Sequence, residues 1–300
     1  MKESTKKMLK KHGWRFDRFI HNFIYFKFYY PYVKFVYYFF KYIAKYLSWF
    51  KPLNILLSMA FNRYHAKILS FGDTKKILTL NVNVSVISPA NKKIIPYKYA
   101  YKIMFDEPEH IAVMDCPCKI TLGDRDENIR SCLAVGKSLS SFWLEHGKKY
   151  HAKKITREEA IALITRFRKM GYITQAFFKV ATGGQTGVIC NCHPDTCVSL
   201  QATKFAKKFD DKLTMNAESG YAVEWNKNLC GFCGTCAGFC PVDCIQVVGD
   251  KSRTYDKNAC IGCELCVEHC PEKALSIYRD SGKAVPLDID IVMKEYQQNM

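Results

Sequence analysis

The chain has 300 residues, 48% of them hydrophobic, with fifteen cysteines and a formal net charge of +17. That length allows one large domain or two ordinary ones, and the apolar content excludes a disordered chain. The cysteines are clustered in C-x-x-C and C-x-C spacings and are odd in number, and the opening residues show no compact apolar stretch with a cleavage site. This pattern argues against a disulfide scaffold and for thiolate metal ligands in a reducing compartment.

Residues 1–70 carry fourteen Lys or Arg against two acids, so most of the positive excess sits in the first quarter of the chain. Residues 14–61 are dominated by Phe, Tyr and Trp, and Lys27, Lys34, Lys41 and Lys45 fall on one narrow stripe of a helix. Uncharged runs such as Phe35–Phe40 and Tyr46–Phe50 are far shorter than the roughly 20 apolar residues of a spanning helix. The pattern predicts amphipathic helices lying on the cytoplasmic face of a membrane, or against a membrane-bound redox complex, with lysines reaching lipid phosphates. Pro31 suits a first helical turn and Pro52 the start of a second helix. Packing against protein is the alternative, and no nucleic-acid partner is expected because no nucleic-acid motif accompanies the basic charge.

Residues 77–88 alternate apolar and polar and predict a half-buried strand, and 111–116 a short buried one. Thr156 to Glu159 form a capping-box pattern, followed by an apolar face of Ala160, Ile161, Leu163, Ile164, Phe167 and Met170 and a stop at Gly171. Residues 172–180 predict a strand. The glycine-rich segment 181–187 lacks the ending of a phosphate loop, and no acid–base pair is evident, so no catalytic residue is named. The fold class expected is α+β: amphipathic aromatic helices over 1–70, a mixed α/β cysteine-rich domain over 71–223, a dicluster module over 224–279, and a tail over 280–300.

The strongest signal is a repeat at an offset of thirty. Cys230, Cys233, Cys236 and Cys240 align with Cys260, Cys263, Cys266 and Cys270, Pro241 with Pro271, Ile245 with Leu275, and Val247 with Ile277. Each half reads C-x-x-C-x-x-C-x-x-x-C-P, in which three closely spaced thiolates wrap one [4Fe–4S] cubane. The fourth, expected at a helix start, ligates the cluster of the other half. One cluster is therefore assigned to Cys230, Cys233, Cys236 and Cys270, and the other to Cys260, Cys263, Cys266 and Cys240. Zinc ribbons also use C-x-x-C pairs, but two complete runs each closed by proline speak against zinc. Over residues 226–279 the chain resembles the bacterial-type two-cluster ferredoxins. The resemblance implies a βαββαβ module, electron transfer, and a redox protein partner. Cys244 has no counterpart in the repeat and reads as a small buried residue.

A second constellation lies upstream: Cys116 and Cys118 in DCPCK, Cys132 in RSCLAV, and Cys190, Cys192 and Cys197 in ICNCHPDTC, with His193 adjacent. These motifs resemble a family of anaerobic iron–sulfur proteins in which such a region precedes a two-cluster module. The thiols exceed the needs of one cubane. A third Fe–S cluster on four of them is the first reading. Structural zinc, unligated or redox-active thiols, and a larger cluster on all of them are the alternatives. His193 reads as a hydrogen-bonded loop histidine before a ligand. The functional expectation is an electron-transfer protein, with an oxidoreductase subunit whose middle site is catalytic or redox-sensing as the alternative.

Overall fold

A computed structural model describes residues 26–43, 64–87, 102–123, 129–179, 185–208, 214–248 and 252–297, with residues 5, 6, 20, 24, 46 and 94. The helix expected from Pro52 and the Lys45 position of the stripe fall outside these residues. The architecture is α+β. After helix α1 (Tyr29–Tyr38), which runs on as a π-turn over Phe39–Ile43, come β1 (Tyr64–Ile68), α2 (Phe71–Leu78), β2 (Val84–Ile87), β3 (Lys102–Phe105) and β4 (Ile111–Met114). Then follow α3 (Pro117–Thr121), β5 (Cys132–Val135), α4 (Lys137–His146), β6 (Lys153–Ile155), α5 (Arg157–Lys169), β7 (Ile173–Lys179), β8 (Gln185–Cys192), α6 (Val198–Ala206) and β9 (Asn216–Ala217).

These strands form one sheet in the order β6-β4-β5-β8-β7-β1-β9, with the β2–β3 hairpin joined to β8 through β3. The two-residue period of a strand divides the side chains between two cores. Ile111, Val113, Leu133, Val135 and Ile189 face a core covered by α2 and α5. Their chain neighbours Ala112, Met114, Cys132, Ala134, Val188 and Cys190 face the other core, together with Phe26, Tyr29 and Val33. Helix α5 starts as expected: Thr156 Oγ1 accepts from Glu159 N at 3.1 Å, and Glu159 Oε2 accepts from Thr156 N at 2.8 Å.

The C-terminal module is β10 (Tyr221–Trp225), α7 (Thr235–Gly238), β11 (Ile245–Val248), β12 (Ser252–Tyr255), α8 (Leu265–Glu268) and β13 (Leu275–Arg279). This is a βαββαβ order, with β10 paired to β13 and β11 to β12, both antiparallel. Helix α9 (Ile289–Gln297) closes the chain.

Four sequence boundaries shift. Residues 77–88 are not one strand. Ser70 accepts from Asp73 N at 3.0 Å and caps α2, whose Ile77 and Leu78 are buried, so among the described residues of this stretch only Val84–Ile87 pair. Strand β1 lies before residue 71 yet sits inside the sheet, hydrogen-bonded to β7 and β9. Strand β10 begins three residues before 224. The segment after 279 is not a free tail, because Leu287, Ile289 and Val292 enter the α2–α5 core and Lys76 pairs with Asp288 at 2.8 Å and Asp290 at 2.6 Å.

Lys67 of β1 is fully buried, and its Nζ has no hydrogen-bond partner among the described residues. Burial pulls its pKa down to about 7, partly offset by the charges of Glu218 and Asp73. Between that value and the unfolded value of about 10.5 the unfolded chain binds a proton that the folded chain does not, so stability rises with pH across this window. Below the window both states are charged and the full burial penalty applies. Lys67→Met is therefore expected to be more stable than the wild type at neutral pH and to show a flatter stability profile from about pH 7 to 10. Anaerobic denaturant titrations along that range check this, and identical slopes for the two chains would refute it.

Candidate metal centres

The two halves of the module share backbone conformation as well as cysteine spacing. Phe232 and Gly262, Gly234 and Glu264, and Asp243 and Lys273 occupy equivalent places, and all six residues have positive φ, from 49° to 76°. Such turns are what bring the closely spaced thiols to one point. The short helices α7 and α8 precede the fourth cysteine instead of following it, so the expected helix start at Cys240 and Cys270 is corrected to a turn. In both halves the backbone N–H four residues on donates to that sulfur, Cys244 N to Cys240 at 3.3 Å and Ala274 N to Cys270 at 3.2 Å.

Cys230, Cys233, Cys236 and Cys270 line one concavity of about 370 Å³, with Trp225 and Arg253 on its rim. The structure thus gathers the three cysteines of one run with the fourth of the other. The thiols of Cys263 and Cys266 feel the charges of Cys260 and Cys240 in turn. Burial pushes Cys263 up to about 12 and Cys266 higher still. Cys244 is buried beside this second set, 3.4 Å from Cys240, and its S–H holds Cys240 and Cys260 down at about 6. Four thiols brought together in each set are a donor set for a cation, and backbone N–H groups already point at the sulfurs of Cys240 and Cys270. Both sets fit a [4Fe–4S] cluster. When bound, such clusters supply one-electron redox steps at potentials set by hydrogen bonds and exposure.

The two sets differ in exposure. Cys233 is exposed and Cys230, Cys236 and Cys270 are half-buried, whereas Cys260, Cys263 and Cys266 are buried. The reason is docking: Cys263 and Leu265 pack into a buried cluster with Ile68 of β1 and Ile173 of β7. Arg168 of α5, 1% exposed, fixes the joint. Its Nε donates to Glu268 at 2.7 and 3.0 Å, and its remaining nitrogens to the Cys263 carbonyl at 2.7 Å and Thr174 Oγ1 at 3.3 Å. Glu264 Oε2 accepts from Phe71 N at 2.7 Å.

The second core of the sheet holds the upstream cysteines. Cys116, Cys118, Cys132, Cys190, Cys192 and Cys197 all line one concavity of about 330 Å³, with Tyr29, Lys119 and His193 around it. Its size is close to that of the ferredoxin-type site. Thiol-to-thiol hydrogen bonds run from Cys118 to Cys116, Cys132, Cys190, Cys192 and Cys197, and Cys118 lies within electrostatic reach of Cys197, which closes a ring. Neighbouring thiols hold Cys116 and Cys197 below their usual range and push Cys118 up, and burial does the same to Cys192. His193 Nδ1 accepts from Asp195 N at 3.2 Å, the loop hydrogen bond expected for it. Helix α1 covers this site. Tyr29 N donates to Tyr150 Oη at 3.3 Å, Tyr150 Oη donates to the Phe26 carbonyl at 2.6 Å, and the Phe26, Tyr29 and Tyr30 rings surround that of Tyr150.

Sequence reasoning did not find Arg168, Glu264 or Tyr150. Arg168 lies one turn beyond Ile164 on the apolar face of α5, but its charge kept it out of that reading.

The family model for the 4Fe-4S binding domain matches residues 223–246 and 253–276, one match on each half of the repeat. No curated protein matches the chain. Fold, spacing and match together define the C-terminal segment as a ferredoxin-like dicluster module. The chain is an iron–sulfur electron-transfer protein.

Proposed function

We propose that the middle site holds a third [4Fe–4S] cluster and exchanges single electrons with a redox protein partner through the module. Ile173 carries this reading. It pairs with Cys192 across the β7–β8 ladder and packs in the same buried cluster as Cys263, so one residue separates the middle site from the buried half of the module. The exposed half, around Cys233 and Leu229, then faces the partner. The upstream cysteine motifs resemble those of an anaerobic iron–sulfur family, with His193 and Pro194 interrupting the last of them. Anaerobic purification with iron, sulfide and zinc analysis tests the reading: about twelve irons are expected, and about eight with or without zinc would overturn it.

The outer face of α1 suits a membrane surface bearing anionic lipid. Phe28, Phe35, Tyr38 and Tyr42 are exposed beside the exposed Lys27, Lys34 and Lys41, and no described helix is long and apolar enough to cross a membrane. The inner face of the same helix covers the thiols, so deleting the N-terminal region would disturb the metal site. Charge reversal is the cleaner test. Replacing Lys27, Lys34 and Lys41 by Glu is expected to weaken sedimentation with phosphatidylserine vesicles by at least about 100-fold, at roughly 1 kcal/mol per lysine. Wild-type protein that ignores such vesicles at low salt would refute the surface role.

A catalytic or redox-sensing middle site is the second reading, favoured by the thiols in excess of a cubane's four.

A further inference from the structure

The backbone divides the middle thiols into two kinds. Cys116 caps α3 and Cys118 lies in its first turn, Cys197 caps α6, and Cys192 is the last residue of β8, opposite Ile173 and not another cysteine. Cysteines at the ends of elements can converge on one cluster. Cys132 and Cys190 are held differently. They are direct partners in the antiparallel β5–β8 ladder, buried, with sulfurs 3.3 Å apart. Residues opposed in such a ladder have Cα atoms about 4.5–5.5 Å apart, inside the span that a disulfide bridges. Closing an S–S bond between them needs rotation of two side chains and no movement of the strands. Among the middle thiols no other pair is opposed across a ladder in this way.

We propose that Cys132 and Cys190 form a dithiol–disulfide couple beside a cluster held by Cys116, Cys118, Cys192 and Cys197. The couple rests on the third-cluster reading for its neighbour, though not for its own chemistry. On oxidation both S–H bonds break, one S–S bond forms, two protons go to water, and two electrons leave to a pair of one-electron iron–sulfur acceptors. On reduction two electrons from reduced centres of the same class cleave the S–S bond, and two protons are taken up. The module carries two such centres, so its capacity matches one turnover of the couple. The protein then joins one-electron carriers to a two-electron thiol reaction, and the ring of thiols is a redox site as well as a metal site.

The experiment uses the full chain, purified and kept anaerobic, equilibrated at a series of potentials in dithiothreitol redox buffers. Each sample is quenched in acid, alkylated with iodoacetamide and mapped by mass spectrometry. The expected result is a Cys132–Cys190 linked peptide that appears on oxidation with a two-electron Nernst slope and disappears on reduction. The Cys132→Ala/Cys190→Ala chain is expected to keep the wild-type iron content and to lose that step. A linked peptide absent at every potential would overturn the couple, as would loss of about four irons in the folded double variant, because the pair would then be ligands. If the double variant does not fold, the wild-type map still decides. About eight irons in the wild type with the linked peptide present would overturn the third cluster and leave the couple standing. About twelve irons with no linked peptide would overturn the couple alone.

Discussion

Gly262→Ala is expected to lose the buried cluster of the module and to unseat the module from the sheet. Gly262 lies between Cys260 and Cys263 with φ at +66°, and an added Cβ would fall inside the van der Waals shells of Ser219 Oγ and the Tyr221 carbonyl. Ser219 already donates to the Gly262 carbonyl at 2.7 Å and accepts from Tyr221 N at 3.1 Å, so neither obstacle can step aside without breaking the joint. The cost combines left-handed strain with a backbone clash and belongs to the exceptional class of about 4 kcal/mol or more. Phe232 is the internal control. It holds the equivalent place in the first half with φ at +54° and its ring rests edge-on against Trp225 of the module, so Phe232→Gly relieves strain at the loss of that contact and is expected to be far better tolerated. Iron content and anaerobic thermal melts of the two variants check the contrast. A Gly262→Ala chain with full iron content and an unchanged melting temperature would contradict it.

Arg168→Met is expected to cost about 3 kcal/mol, the low end for breaking a buried ion pair, because Glu268 is partly open to water. The loss also strands the Cys263 carbonyl and, among the described residues, leaves Thr174 Oγ1 with only its long bond to Asn191 Oδ1 at 3.5 Å. Lysine cannot replace it, since a single ammonium cannot reach acceptors in three directions. Arg168→Lys is therefore expected to fall near Arg168→Met in denaturant midpoint, and faster proteolysis of the segment joining sheet and module should accompany both. A lysine variant indistinguishable from the wild type would show that charge alone holds the joint.

The dicluster module was legible because its information is local: four thiols at fixed spacing, repeated at an offset of thirty, dictate the turns that the positive φ values display. The capping box at Thr156 and the strand at Ile111 were legible for the same reason. Alternation misled at 77–88, where one serine side chain caps a helix and outweighs a weak strand pattern. Met170 was placed on the apolar face of α5 but is 39% exposed, while Arg168, one turn beyond Ile164 on that face, is buried. The period places Arg168 inward, but it does not encode the partners in the module that make a buried guanidinium tolerable. The upstream cysteines span more than eighty residues of sequence, and only the register of β4, β5 and β8 brings them into one ring. The dual character of α1, one face over thiols and one outward, is likewise invisible in a run where nearly every residue is aromatic.

The return of the chain after β13 has a kinetic meaning. Leu287, Ile289 and Val292 anchor α9 in the same core that α5 covers, and Arg168 anchors the module from the other side. The module is clasped at both of its ends, not tethered by one. If the middle site holds a cluster as proposed, electron exchange between it and the module would involve no diffusive search. Its rate should then be insensitive to solvent viscosity, while a step to the proposed external partner should slow as viscosity rises.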